Sequence, residues 1–292
     1  MQNIDQEIKK LQDYQKLLEY KGEDRVVLAS ELLKEIATDV PKKIYNTKFT
    51  KLDEIIGGFR RGQLVVLSAA TGEGKTTFAQ GLTDKFTQDG ERCLWFSYEV
   101  GIEEFMEKMP GSKAFYVPRV LRQGMLKWIE ERIKEGIAKH KSRIIFIDHL
   151  HYLLEMQKMA EAKSLSLLIG MMLRELKRIC IEQDVVIFLI SHLRKIDMTE
   201  KPELTDLRDS SFVAQESDLI LMLWRIRTRG MFPGEWIPSN DLRVAVRKNR
   251  RNGKLGIVSF KYENGLFEES DMPVNPNAPI NHNEDEIKDL RF

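Results

Sequence analysis

The sequence predicts an α/β fold: a mainly parallel sheet with helices on both faces, an antiparallel hairpin at one edge, and a short helical extension in front. Three observations carry this. From Lys51 onward, apolar strand-like runs alternate with helical stretches. The early runs are continuously hydrophobic, as strands covered on both faces require. One of them, QLVVLS, leads through a small-residue loop into a helix, the order of a phosphate-binding turn.

The elements follow in order. Ile4, Ile8, Leu11, Tyr14 and Leu18 recur at three- and four-residue spacing and predict one amphipathic helix. Val26, Leu28, Leu32, Leu33 and Ile36 predict a second, which stops before Pro41. Both are short and charged, bury little alone, and are expected to dock on the main domain or on a neighbouring copy. Strands are expected at 63–69, 93–98, 143–148, 185–191, 218–224, 242–248 and 255–262, and the main helices at 76–87, 123–140 and 162–183. The last two strands alternate and are linked at Asn252–Gly253, which predicts an antiparallel pair, with Ser239 and Asn240 ending the loop before them. Residues 271–292 are rich in Pro, Asn and Asp and read as a flexible tail. The expected organisation is 1–48 helical extension, 49–270 main domain and 271–292 tail.

Composition bounds the function. The 292 residues carry 46 basic and 45 acidic side chains, a net charge of +1, which excludes a polybasic coat for nucleic acid but not a local basic strip. Hydrophobic residues at 42% suffice for a full core. Cys93 and Cys180 lie in apolar runs and form no disulfide framework, so a reducing compartment is expected. The N-terminal MQNIDQEIKK carries acids and no apolar stretch, and the run 185–190 is too short to cross a bilayer. A cytoplasmic location without membrane contact is the expectation.

AATGEGKT, residues 69–76, holds the chemistry. Small residues let the backbone of Ala70, Thr71, Gly72, Glu73 and Gly74 wrap phosphate with N–H donors. Lys75 reaches the β- and γ-phosphates, the Thr76 hydroxyl suits Mg²⁺, and Thr77 follows in the opening helix. The pattern departs from its usual form only in having Ala69 first. Asp148 ends the strand RIIFID, where it serves a Mg²⁺ ion or, taken alone, a helix cap. Glu99 follows CLWFSY on the same edge, where a carboxylate orients and polarises an attacking water; the alternative is a solvated strand-end charge. Glu103 and Glu104 read as an exposed helix start. His192, in LISHLRK, stands level with Glu99 and Asp148 and is placed to report the γ-phosphate, while Arg194 and Lys195 can meet a polyanion. The loop beyond carries Lys201. VRKNRRNGKLG concentrates Arg247, Lys248, Arg250, Arg251 and Lys254, a soluble basic hairpin or an arginine finger that completes a neighbouring subunit's site. The Met- and Leu-rich helix at 165–181 reads as core.

Taken together these stretches resemble the DnaB-type replicative helicases of the RecA-like ATPase class. FTKLDEIIGGFRRGQLVVLSAATGEGKTTFA looks like that family's opening, FSYEV like its catalytic-glutamate strand and IIFIDHL like its Mg²⁺ strand. LTDLRDSSFVAQESDLILML is similar to its most distinctive stretch, and the likeness spans about residues 46–268. Within the family the phage primase-helicase and mitochondrial Twinkle branch is most similar: it carries His at 192 and the K-x-R-x-x-G pattern of Lys248 and Arg250. The resemblance implies a RecA-like core, ATP and Mg²⁺ as cofactors, and Lys248 and Arg250 reaching across an interface. It implies that Arg225 and Tyr262 contact the base and that Arg194 and Lys195 begin a central DNA loop. The implied partners are single-stranded or forked DNA, further copies in a hexameric ring, and a loader or other replication protein. Movement would run 5′ to 3′. About 48 residues of helix stand where the family carries a primase or primase-binding domain, and a linker helix there docks on the adjacent subunit. The compact segment between Glu99 and Asp148 is assigned no DNA contact. The rival reading is an ATP-gated DNA-binding scaffold that recruits a partner without processive unwinding.

Overall fold

Apolar runs of five to seven residues need cover on both faces, and in the computed structural model they find it in one eight-stranded sheet. The structure describes residues 2–38, 43–111, 113–122, 126–149, 153, 165–193, 201–207, 210–232 and 235–272. The chain divides into two compact units, Met1–Lys42 and Lys43–Phe292.

The first unit holds α1 (Gln2–Leu18) and α2 (Ala29–Thr38). Their apolar positions, including Ile4, Ile8, Leu11, Leu18, Leu33 and Ile36, are exposed. The second unit begins with a two-stranded pair, β1 (Ile44–Tyr45) against β2 (Phe59–Arg60), bracketing α3 (Thr50–Ile56). The main strands are β3 (Leu64–Ala69), β4 (Cys93–Ser97), β5 (Ile144–Asp148), β6 (Val186–His192), β7 (Leu219–Arg229), β8 (Trp236–Asn249), β9 (Gly256–Glu263) and β10 (Leu266–Ser270). Their order is β10-β9-β8-β7-β3-β6-β5-β4. From β7 to β4 every pair is parallel; from β7 to β10 every pair is antiparallel. The α/β class, the mainly parallel order and the antiparallel edge are those expected.

Helices α4 (Lys75–Gln88), α5 (Ile102–Lys108), α6 (Leu126–His140), α7 (Leu165–Glu182) and α8 (Ser210–Glu216) complete the unit. The period of two along β6 shows how both faces are covered. Val186, Phe188 and Ile190 join one core with Phe78, Leu82 and Phe86 of α4. Ile187 and Leu189 join the other with Ile129 and Ile133 of α6 and Leu173 and Leu176 of α7. Each such side chain is fully buried, which stabilises the fold by roughly 1.5–3 kcal/mol relative to exposure.

Three expectations need correction. Ser239 and Asn240 do not end a loop: they lie inside β8, paired to the extended β7. The antiparallel edge is three strands rather than a hairpin, because Leu266–Ser270 adds β10. The turn at Asn252–Gly253 does link β8 to β9. Of the region 271–292, the described Asp271 pairs with Lys51 at 2.5 Å and the carbonyl of Met272 accepts from the Ser259 hydroxyl at 3.0 Å. Residues 273–292 lie outside the described residues. Both cysteines are buried, and burial pushes both thiols up from their ordinary pKa. Among the described residues no helix is long and apolar enough to cross a membrane.

Candidate active site

The carboxyl ends of β3, β4, β5 and β6 share one edge of the sheet, and register decides which residues stand level. Ala69 pairs with His192, and Ser97 with Asp148. Loops leaving such an edge are where open α/β sheets bind ligands. Between β3 and α4 the chain turns through Ala70, Thr71, Gly72, Glu73 and Gly74. Gly72 (φ 81°) and Gly74 (φ 89°) are left-handed, a region that side chains resist. A Cβ at either would meet nothing within 4 Å. Backbone angle rather than crowding demands glycine, and the space over the loop stays open. Gly74 then caps α4, whose first-turn N–H groups, unpaired within the helix, face that space.

Lys75 is 5% exposed. Its ammonium donates to the carbonyls of Ala69 at 3.2 Å and Ala70 at 3.0 Å. Burial lowers its pKa, against the pull of the Glu99, Asp148 and Glu73 carboxylates. The Thr76 hydroxyl donates to Asp148 Oδ2 at 2.6 Å. Asp148 is fully buried and its Oδ1 has no hydrogen-bond partner among the described residues. Burial pushes this carboxyl up, the Thr76 bond opposes the rise, and the nearby Glu99 carboxylate adds to it. A buried acceptor left unpaired is costly. A hydroxyl beside a bare carboxylate oxygen is the oxygen donor set that Mg²⁺ takes, so the residues present fit that ion.

Glu99 and His192 meet above this pair. Glu99 Oε2 lies 3.6 Å from His192 Nε2, the side chains 34% and 19% exposed. His192 Nδ1 is 3.5 Å from the Thr71 hydroxyl, so the ring bridges the phosphate loop and the acid. The ring of His149 packs edge-on against it, centroids 4.5 Å apart.

The Glu73 side chain turns away from the opening. Its Oε2 accepts from the Arg225 backbone N–H at 2.6 Å and its Oε1 from the Arg227 guanidinium. The two charged side chains are each 5% exposed. Beside the loop lies a cavity of about 210 Å³, lined among others by Gly72, Thr77, Arg225, Asn240 and Tyr262. Tyr262 leans on Phe267 at 4.7 Å. The Arg225 guanidinium donates to the carbonyls of Ser239 at 2.7 Å and Pro238 at 3.2 Å, which makes it a fixed wall of the cavity.

Lys248 and Arg250 stand at the opposite end of β7. Lys248 pairs in register with Ile220, as does Val66 of β3, which puts it about 10 Å short of the phosphate loop along the strands. Its ammonium donates to the carbonyls of Ala214 and Ser217. Arg250 donates to the Gln215 carbonyl at 2.5 Å and pairs with Asp218 at 3.3 Å. Both thereby cap the carbonyl end of α8, and neither joins its own chain's loop. Lys201 is half-buried in a segment held by Arg247, which donates to Pro202 O at 2.9 Å and pairs with Glu203 at 2.8 Å. Arg194 and Lys195 lie outside the described residues. Sequence reasoning passed over His149, Arg227 and Asn240. The signal for the first was there: it directly follows the strand-end Asp148.

The profile of the DnaB-like helicase C-terminal domain family matches residues 45–139 and 124–269. The chain is 27% identical over 261 residues to the replicative DNA helicase DnaB of Haemophilus influenzae, covering 77% of this chain and 54% of that protein. It is 25% identical over 250 residues to the replicative DNA helicase DnaC of Bacillus subtilis, covering 74% and 54%. The chain thus spans about half the length of the curated relatives it matches. Among solved structures it is similar to the ATPase domain of a phage helicase (TM-score 0.68, 24% identity, 83% of this chain and 97% of that one). It is also similar to a DnaB-like replicative helicase described with its primase interactions (TM-score 0.65, 22% identity, 91% and 73%). These two likenesses establish the fold.

Proposed function

Because the chain belongs to the DnaB-like helicase C-terminal domain family, we propose that it is the motor of an ATP-dependent DNA helicase. Copies assemble into a homo-oligomeric ring, a hexamer, that moves 5′ to 3′ on single-stranded DNA in the cytoplasm. The observation that carries this reading is the buried Thr76–Asp148 bond, with a bare carboxylate oxygen, beside Lys75 and below Glu99 and His192.

The backbone N–H groups from Ala70 to Gly74 and the first turn of α4, with Thr77, receive the phosphates. Lys75 exchanges its bonds to Ala69 and Ala70 for the β- and γ-phosphates. Thr76 and Asp148 hold Mg²⁺, which screens phosphate charge when bound. Glu99 orients water and takes its proton, and His192, touching both Glu99 and Thr71, follows the γ-phosphate. Tyr262 and the wall built by Arg225 receive the base. Lys248 and Arg250 serve the next subunit's phosphates, since strand register keeps them from their own. Arg194, Lys195 and Lys201 carry the DNA contacts, and a loader or other replication protein is the expected partner.

Forked DNA with only a 5′ tail or only a 3′ tail, supplied with ATP and Mg²⁺, tests the reading. Strand separation confined to the 5′-tailed fork is expected. DNA-stimulated hydrolysis without separation on either fork, even with a loader present, would replace the motor by an ATP-gated scaffold.

A further inference from the structure

Glu99, His149 and His192 converge in a way that phosphate binding does not require. One donor atom from each lies within 4.8 Å of the other two, and the Glu99 Oε2 to His192 Nε2 distance is 3.6 Å. Ligands bound at about 2.0–2.2 Å from one ion stand about 3–4.4 Å apart. The three donors therefore need only a slight contraction to share a cation. We propose that they form a binding site for a borderline transition-metal dication of the Zn²⁺ class, separate from the Thr76–Asp148 position, and that its occupancy holds hydrolysis off.

Ligand chemistry separates the two positions. Thr76 and Asp148 offer oxygen alone, which suits Mg²⁺. Two imidazoles and one carboxylate suit zinc, iron or nickel and leave coordination places open. The outer support is present too. The second nitrogen of His192 lies 3.5 Å from the Thr71 hydroxyl, a contact that orients the ring with Nε2 toward Glu99, as metal-binding histidines are usually oriented. The His149 ring, at 84° to that of His192, approaches the same point from β5. Glu99 is exposed and both imidazoles are partly exposed, so an ion has a way in. Bound there, the cation takes the Glu99 lone pairs that would otherwise accept a proton from water. Nucleotide binding, carried by the loop and by Lys75, is untouched. The inhibitory part rests on the assignment of Glu99 as the water-activating group; the binding part does not.

The test is a Co²⁺ titration of the full chain in millimolar Mg²⁺ without nucleotide, followed by visible absorption, with Zn²⁺ as competitor. One equivalent of Co²⁺ giving intense four- or five-coordinate bands, erased by Zn²⁺ and weakened at least tenfold in affinity by His149→Asn, is expected. Circular dichroism melting reports whether that variant is folded, and His149→Gln replaces it if it is not. Absence of the bands, or equal affinity in the folded variant, overturns the site. In the hydrolysis assay, micromolar Zn²⁺ should inhibit the wild type and require at least tenfold more in His149→Asn, while binding of a fluorescent ADP analogue stays unchanged. Bands without inhibition overturn the inhibitory role alone. A preparation that shows the bands but hydrolyses no ATP overturns the motor reading instead.

Discussion

Lys75 donates to two carbonyls of its own loop, a holding arrangement that a phosphate can displace because each bond is neutral and replaceable. Lys75→Ala should therefore reduce ATP hydrolysis by on the order of 10²–10³-fold or more, read by phosphate release; turnover near wild type would remove the central assignment. Glu99→Gln keeps the size and loses the base. It should retain binding of a fluorescent ADP analogue while slowing turnover by on the order of 10²–10⁴-fold. For Cys93 and Cys180 the sign is simple. Burial raises both thiol pKa values, so at pH 8 the thiolate fraction falls below that of a free cysteine and reactivity falls with it. A thiol reagent should label neither in the native protein and both in denaturant. At this scale Lys75, Thr76 and Asp148 were legible because strand, loop and helix follow in order. The direction of the Glu73 side chain was not, since nothing local reveals a partner 154 residues away.

The strands were legible where they are apolar and covered. On β6, Phe188 meets Phe59 at 4.7 Å and Phe146 at 4.6 Å, and Phe188→Ala should cost about 3–5 kcal/mol in urea unfolding. The antiparallel edge was less legible. Pro238, Ser239 and Asn240 carry turn chemistry, yet Pro238 pairs with Arg227 because strand preference yields to long-range pairing. LFEES in β10 has only two apolar residues and gains its place from β9. Helix α3, at seven residues, is too short for a periodic signal. The basic hairpin shows a related limit: its composition announced cations, but only register places Lys248 and Arg250 far from their own loop.

That distance has a consequence at the scale of the assembly. If each finger serves a neighbour, Arg250→Ala mixed with wild type should depress hydrolysis more than dilution requires; strictly proportional loss would mean a site completed within one chain. The unit Met1–Lys42 leaves Ile4, Leu11 and Leu18 at 62%, 67% and 71% exposure. Its removal should shift the protein toward smaller species in sedimentation velocity. Whole-molecule charge, +1 over 292 residues, was read correctly from composition but gives no assembly surface, because the exposed apolar stripe and the basic hairpin cancel out of any average. The buried pair of Glu73 and Arg227 constrains the chain in time as well as in space. With both side chains 5% exposed, changing either alone strands a charge away from water. The two codons are therefore tied: an activity selection on a library randomised at both positions should recover opposite charges or joint apolar replacements, and almost nothing one step from either.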